Sequence, residues 1–307
     1  MSKYNLLIMG HVSKDENITP ENREFSIGGA VVYSAITAKR LGANVLALTK
    51  LNENDRSALE IFSKHDVPYV YRPSRQTTSI RNTYFTPDRE KRTCEAISVA
   101  DPFKLSDIPN GVEATIIYLG GLMKGEFPTR LIKALSPYGR IAADAQGFIR
   151  VNENGQMIFK DWKQKRNLLP YITFFKTDAA EAEILTGEKD AEAAARILFD
   201  WGPHEVMVTS PSGVLVYAKL EVYRYPFTSK NLSGRTGRGD TCFAAYCSCR
   251  FKTSPEQACL YAAALTSLKM ETPGPFCGTM EDVVTVIDER YAEYKPSGIS
   301  GRYYLPS

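Results

Sequence analysis

Hydrophobic residues along this chain fall into short, dense runs separated by longer stretches where they recur every three or four positions. The runs at 6–10, 45–49, 116–120, 141–144, 172–176, 206–209 and 213–217 are rich in Val, Ile, Leu and aromatic residues. A strand with one wet face alternates apolar and polar side chains. Several of these runs do not alternate, so they predict strands covered on both faces. The helical period appears over 30–41, 55–65, 128–135, 179–186, 191–201, 240–250, 255–270 and 280–291. Thr253-Ser254-Pro255-Glu256 places a hydroxyl cap and a proline at a helix start. Gly42 and Gly187 follow helical runs as C-terminal stops. Strands alternating with helices predict a doubly wound α/β domain with a mostly parallel sheet.

Two segments break that rhythm. Residues 11–27 are polar and poor in helix formers, and residues 67–100 alternate like antiparallel strands at 69–71, 79–86 and 93–99, with a turn at 86–90. They predict a small β-sheet lid inserted in one domain spanning 1–307, a common way to cover a ligand cleft. The tail after Tyr291 reads as an irregular surface strap.

Composition narrows the function classes. The 307 residues are 43% hydrophobic and 24% charged, and the net charge of +3 comes from 38 basic and 35 acidic side chains. That is ordinary globular composition, without the excess charge of a nucleic-acid or membrane binder, so neither is the expected partner. Of the six cysteines, Cys247-x-Cys249 lacks zinc-ligand spacing, and the histidines are scattered. Neither a structural metal nor a disulfide framework is expected. The N-terminal run lacks a signal-peptide pattern, so a cytoplasmic location is expected.

The chemistry concentrates at Gly234-Arg235-Thr236-Gly237-Arg238-Gly239-Asp240-Thr241. A glycine-rich loop opening a helix turns amide hydrogens and the positive helix end toward one point, which makes a receptor for an oxyanion. No Gly-Lys-Ser/Thr follows, so this is not a Walker A loop, and the dinucleotide fingerprint lacks its third glycine. A carboxylate beside an anion receptor fits a general base for phosphoryl transfer. Asp15 follows the first strand, where a carboxylate can accept both hydroxyls of a vicinal diol. Asp178 and Glu181 share one face of a helix start, a position that also favours acidic residues for capping alone.

In order along the chain, these parts resemble the ribokinase-like carbohydrate kinase family. Thr236-Gly237-Arg238-Gly239-Asp240-Thr241 is similar to the signature Thr-Gly-Ala-Gly-Asp-Thr, with Arg238 in place of alanine. Gly28-Gly29 with Arg40-Leu41-Gly42-Ala43 matches the N-terminal motif. The segment around Asp178 and Glu181 matches Asn-x-x-Glu with aspartate first, and Val208-Thr209-Ser210-Pro211-Ser212-Gly213 matches a fourth segment. The resemblance implies a ribokinase-like fold and transfer of the ATP γ-phosphate to a sugar, sugar acid, inositol or nucleoside hydroxyl. It implies Asp240 as base and Gly237, Arg238 and Gly239 as the amides that hold the phosphoryl group. Asp15, Gly28, Gly29 and Tyr33 would meet the substrate, Tyr33 standing where many relatives have asparagine. Lys176, Thr209, Ser210 and Gly213 would lie along the nucleotide. Asp178 and Glu181 would organise water around Mg²⁺. Relatives also imply a K⁺ requirement and a homodimer through the lid. The alternation at 80–85 permits that dimer and equally permits packing on the main domain. Asp101-Pro102 and the segment from Asp144 to Arg150 resemble the inositol-kinase-like branch. A nucleoside kinase, or a catalytically silent binding protein on the same fold, remains an alternative.

Overall fold

The computed structural model describes residues 2–85 and 92–294. The turn expected at 86–90 and the strap beyond residue 294 lie outside the described residues. In chain order the strands are β1 (Ser2–Met9), β2 (Ser13–Ile18), β3 (Arg23–Gly28), β4 (Val45–Leu51), β5 (Tyr69–Pro73), β6 (Thr78–Tyr84), β7 (Arg92–Ser98) and β8 (Val112–Leu119). They continue as β9 (Arg140–Asp144), β10 (Arg150–Glu153), β11 (Gln156–Phe159), β12 (Phe174–Asp178), β13 (Glu205–Thr209), β14 (Gly213–Ala218) and β15 (Glu221–Pro226). The helices are α1 (Ala30–Arg40), α2 (Glu60–Lys64), α3 (Thr129–Leu135), α4 (Gln146–Ile149), α5 (Lys165–Leu168), α6 (Ala179–Thr186), α7 (Ala191–Asp200), α8 (Arg238–Cys249), α9 (Pro255–Met270) and α10 (Met280–Arg290).

The main sheet runs β15-β14-β13-β12-β9-β8-β1-β4-β5. Neighbours from β5 to β13 pair in parallel, and β14 and β15 add an antiparallel edge. Strand β1 lies between β4 and β8, so the winding reverses there. In such sheets ligands bind at the carboxyl ends of the strands beside the reversal. The double burial read from the uniform runs is seen strand by strand. Leu6 and Ile8 of β1 enter a core with α1, α8, α9 and α10, while Leu7 and Met9 enter a second core with α3 and α7.

The lid is a six-stranded sheet, β10-β11-β7-β6-β2-β3. Its inner face buries Ile80, Ala96 and Met157 against Leu122 and Met123 of the main domain. Alternation over 80–84 turns Ile80, Asn82 and Tyr84 inward, and large apolar side chains on the outer face (Phe25, Ile27, Ile97, Ile158) stay exposed. His11, fully buried, ties lid to sheet: its amide donates to Glu126 Oε1 (2.7 Å), and its Nδ1 lies 3.0 Å from Thr78 Oγ1.

Three expectations need correction. The strand at 69–71 is not part of the lid. It is β5, the edge of the main sheet, parallel to β4; its half-wet position gives it the alternation of a lid strand. The helix expected over 55–65 is α-helical only over Glu60–Lys64; its first half lies in 3₁₀ turns over Glu53–Leu59, where the Asn52 side chain accepts from the Asn54 amide and Asp55 leaves helical geometry (φ −105°). The hairpin β10–β11 extends the lid although its sequence was not read as strand.

Candidate active site

The loop before α8 is held in shape by glycine. Gly237 caps the helix at φ +77°, and a Cβ there would sit 2.3 Å from the Tyr33 ring. Only glycine satisfies both the left-handed backbone and that close approach. The Arg238 amide turns back to the Arg235 carbonyl (3.2 Å), and the Thr241 amide donates to the Gly237 carbonyl (2.9 Å). The first-turn amides of Gly239 and Asp240 are then the donors that a helix start leaves over, and the helix dipole adds positive potential at the same place. Lys176, the middle residue of β12, comes to the same point, its Nζ 3.0 Å from where a Gly239 Cβ would lie.

Asp240 is half-buried at this helix start. Burial raises its carboxyl pKa to about 6, and Asp144 adds to the rise, while Lys176, Arg150 and Lys269 pull it down. The helix end therefore does not hold this carboxyl below its ordinary range; desolvation and the Asp144 charge outweigh it. At neutral pH the group is still mostly ionised, as a base must be. Lys176 Nζ pairs with Asp144 Oδ2 at 2.9 Å. Burial opposes the lysine charge, but Asp144, Glu181, Asp240 and Asp178 together raise its pKa.

The opposite wall comes from the lid and α1. Asp15 on β2 packs on Gly28: a Cβ at Gly28 would lie 2.5 Å from Asp15 Oδ2. Gly29 caps α1 at φ +103°, where a Cβ would meet the His11 carbonyl at 2.3 Å. Tyr33, one turn into α1, has its phenol pKa raised by burial and then by the charges of Asp240, Asp15 and Tyr84. The Tyr33 phenol thus feels the charges of both Asp15 and Asp240.

Asp178 and Glu181 form a reciprocal cap on α6. The Glu181 amide donates to Asp178 Oδ1 (2.8 Å), and the Asp178 amide donates to Glu181 Oε2 (2.9 Å). Burial, Asp144 and Asp178 raise the Glu181 pKa against the pull of Lys176. A crowd of carboxylates that raises one member's pKa is one that a nearby cation relieves, so the pair suits a hydrated Mg²⁺. Among the described residues no group of three or more His, Cys, Asp or Glu side chains is arranged to hold a metal directly. Thr209 pairs with Asp178 across β12 and β13. The Ser210 amide donates to the Gly213 carbonyl (2.9 Å), and the Gly213 amide donates to Ser210 Oγ (3.1 Å), closing a tight turn that flanks the cap.

The residues singled out in the sequence thus gather at the carboxyl ends of β12 and β13, at the start of α8, and on the facing lid and α1. Sequence reasoning left one neighbour among the lid tyrosines without a role and missed another. Tyr84 of β6 is buried, and its charge is felt at Tyr33. Lys269, in the last turn of α9, is 1% exposed, and its charge is felt by Asp240. A lysine inside a run as apolar as 258–270 was the available signal for the second.

Comparison with known proteins gives concordant results. Residues 4–278 match the pfkB family of carbohydrate kinases. A solved pyrophosphate-dependent kinase of the ribokinase family, complexed with a pyrophosphate analogue and myo-inositol, is 40% identical; the match covers 91% of this chain and 98% of that one, with a TM-score of 0.83. Ribokinase from Arabidopsis thaliana, complexed with ribose and ATP, shares the fold at 16% identity, over 93% and 99% of the two chains, with a TM-score of 0.71. A cytidine kinase from Thermococcus kodakarensis is 25% identical over 264 residues, 83% of this chain and 91% of that one.

Proposed function

The chain belongs to the pfkB family of carbohydrate kinases, and from that premise we propose that it transfers a phosphoryl group to a ring hydroxyl of an inositol-like polyol. The observation that carries this reading is Asp240 in the first turn of α8, behind the Gly237 that packs on the Tyr33 ring, with the charges of Asp240 and Asp15 both felt at the Tyr33 phenol. Asp15 accepts a pair of neighbouring hydroxyls, and Gly28 leaves room for them. Asp240 takes the proton of the attacking hydroxyl. The Gly239 amide and Lys176 receive the phosphoryl oxygens; the Arg238 amide, expected to share this role, is turned back to the Arg235 carbonyl instead. Phosphoryl transfer passes through a loose transition state, so placement and charge supply most of the catalysis. Mg²⁺, held through water by Asp178 and Glu181, would neutralise donor phosphate charge.

For the donor we favour pyrophosphate over ATP. The 40% identical kinase is pyrophosphate-dependent. The middle of α9 carries the buried Ala262, Ala263 and Ala264, whose side chains offer no hydrogen bond to a nucleotide base. Arg238, whose guanidinium lies 6.0 Å from the Phe227 ring centre, adds positive charge suited to a compact anion. ATP remains the second reading, through the wider family, with Thr209, Ser210 and Gly213 along it. The cytidine kinase relative keeps a nucleoside acceptor as the alternative. Exposed Phe25, Ile27, Ile97 and Ile158 support a homodimer through the outer lid face.

The test is a matrix of donors (pyrophosphate, ATP) and acceptors (myo-inositol, ribose, cytidine) with Mg²⁺, the phosphomonoester product being read by phosphorus NMR. Phosphorylated inositol is the expected product. A wild-type protein that phosphorylates none of the three, or an Asp240→Asn variant that turns over as fast, refutes the proposal.

A further inference from the structure

We propose that Lys269 is a built-in cation that fixes the anion-binding loop, its ammonium tying down the Gly234 carbonyl and facing the Tyr33 ring beside Asp240. The inference rests on the kinase reading and makes Lys269 a positioning residue for the transfer.

A lysine in the last turn of a helix ordinarily reaches outward, where it meets water and the terminal carbonyls of its own helix. Lys269 does the opposite and is almost fully buried. Its Nζ donates to the carbonyl of Gly234, the first residue of the loop that leads to α8. The same glycine is gripped from its other side, its amide donating to the Met270 carbonyl at 2.8 Å. A Cβ on Gly234 would lie 1.9 Å from the Thr272 carbonyl, so this peptide is pressed flat on the end of α9. The loop entrance is thereby clamped three residues before Gly237.

The ammonium also lies 5.6 Å from the centre of the Tyr33 ring, a cation–π distance. That ring is the surface on which Gly237 packs. Lys269, Tyr33 and Gly237 therefore make a continuous series of contacts from α9 through α1 to the start of α8. If the only need were to fill this space, an apolar side chain would do so without desolvating a charge. Burial does lower the Lys269 pKa, to about 8, with Asp240 and Cys277 opposing the fall. The group keeps most of its charge at neutral pH. A fixed positive charge beside the base also stabilises the phosphoryl group as its charge redistributes in the transition state.

Lys269→Met keeps the length of the side chain and removes the charge. The expected result is a folded protein with kcat lowered by about 10²-fold. Pyrophosphate affinity, read by calorimetry with Mg²⁺, should weaken about tenfold, while the acceptor KM stays within about twofold. If kcat and pyrophosphate affinity both stay within about threefold of wild type, the proposal is overturned. Lys269→Ala supplies an independent arm and decides the matter if the methionine variant does not fold. Ethylammonium should restore its rate saturably, and tetramethylammonium at equal ionic strength, too large for the vacated space, should not. No advantage for ethylammonium overturns the proposal. A wild-type protein that binds pyrophosphate but phosphorylates no acceptor sinks the kinase reading alone; the affinity comparison still decides the role of Lys269.

Discussion

Replacing Asp240 with asparagine separates what the carboxylate does for turnover from what it does to the fold. Burial and the Asp144 charge raise its pKa from the ordinary 3.8 to about 6. At about 1.4 kcal/mol per unit, a two-unit rise bounds the cost of keeping it ionised in the native state at ~3 kcal/mol. The side chain is half-buried, and cleft water screens part of this, leaving about 1–2 kcal/mol, or roughly 2–5 °C in Tm for a chain of this size. The sign follows from linkage. The folded pKa lies above the unfolded one, so the folded state holds the proton more tightly. The contribution of Asp240 to stability is then greatest below about pH 4 and is lost as pH rises through about 6. Asparagine does not titrate, so the variant should melt above wild type at about pH 8, and the gap should close toward about pH 4.5. Over the same range turnover should fall by roughly 10²–10⁴-fold, the usual worth of a general base. Thermal melts and initial rates on both proteins across that range make the assay. A variant that melts below wild type at the alkaline end, or a gap that ignores pH, refutes the electrostatic account; undiminished turnover refutes the base.

Three further outcomes follow from the same geometry. The acceptor kcat/KM of the wild-type protein should decline with unit slope below about pH 6, as Asp240 takes up its proton; a flat profile down to about pH 5 contradicts this. Gly237→Ala drives a methyl group into the Tyr33 ring at a backbone angle of +77°, and should lower stability by about 1–3 kcal/mol and reduce turnover. An unchanged melt would show that the packing is wrong. Gly28→Ala puts a methyl group 2.5 Å from Asp15 Oδ2 and should raise the acceptor KM about tenfold or more while sparing the donor KM; equal changes in both would detach Asp15 from the acceptor.

What was legible in the chain was what is local in it. The anion loop is contiguous, and its glycines announce both the turn and the close approach of Tyr33, so the start of α8 was read within two residues. The main strands were legible because double burial leaves an unmistakable apolar run. The lid was read only in part. Strand β5 sits at a sheet edge, mixes intermediate and exposed positions, and so imitates a lid strand. The hairpin β10–β11 carried a usable signal that went unread: Asn154 and Gly155 both adopt positive φ (52° and 90°), the mark of a tight hairpin turn. Lys269 was illegible for a different reason. Its meaning lies in a carbonyl 35 residues earlier, which only the packing of α9 against the loop brings within reach. Asp178 and Glu181 show the converse case. The sequence proposed a metal role and a capping role, and the structure shows the cap without closing off the other, because a capping pair crowded by Asp144 still favours a cation beside it.

The charges around Asp240 look contradictory until the reaction is considered. Lys176, Arg150 and Lys269 all lower the pKa of the proposed base and so make it weaker. A carboxylate left with only burial and Asp144 would bind a proton more tightly, but it would also stand uncompensated against an incoming polyphosphate. In a loose transition state the attacking hydroxyl keeps its proton until late, and base strength contributes little compared with charge stabilisation and alignment. Cations that weaken the base while attracting the phosphoryl group are then a net gain. The pKa of about 6 is the balance of the two demands: low enough to leave Asp240 ionised at neutral pH, high enough to accept a proton once the phosphoryl group has moved. On this reasoning, removing any one of the three cations should make Asp240 a stronger base and the protein a slower enzyme.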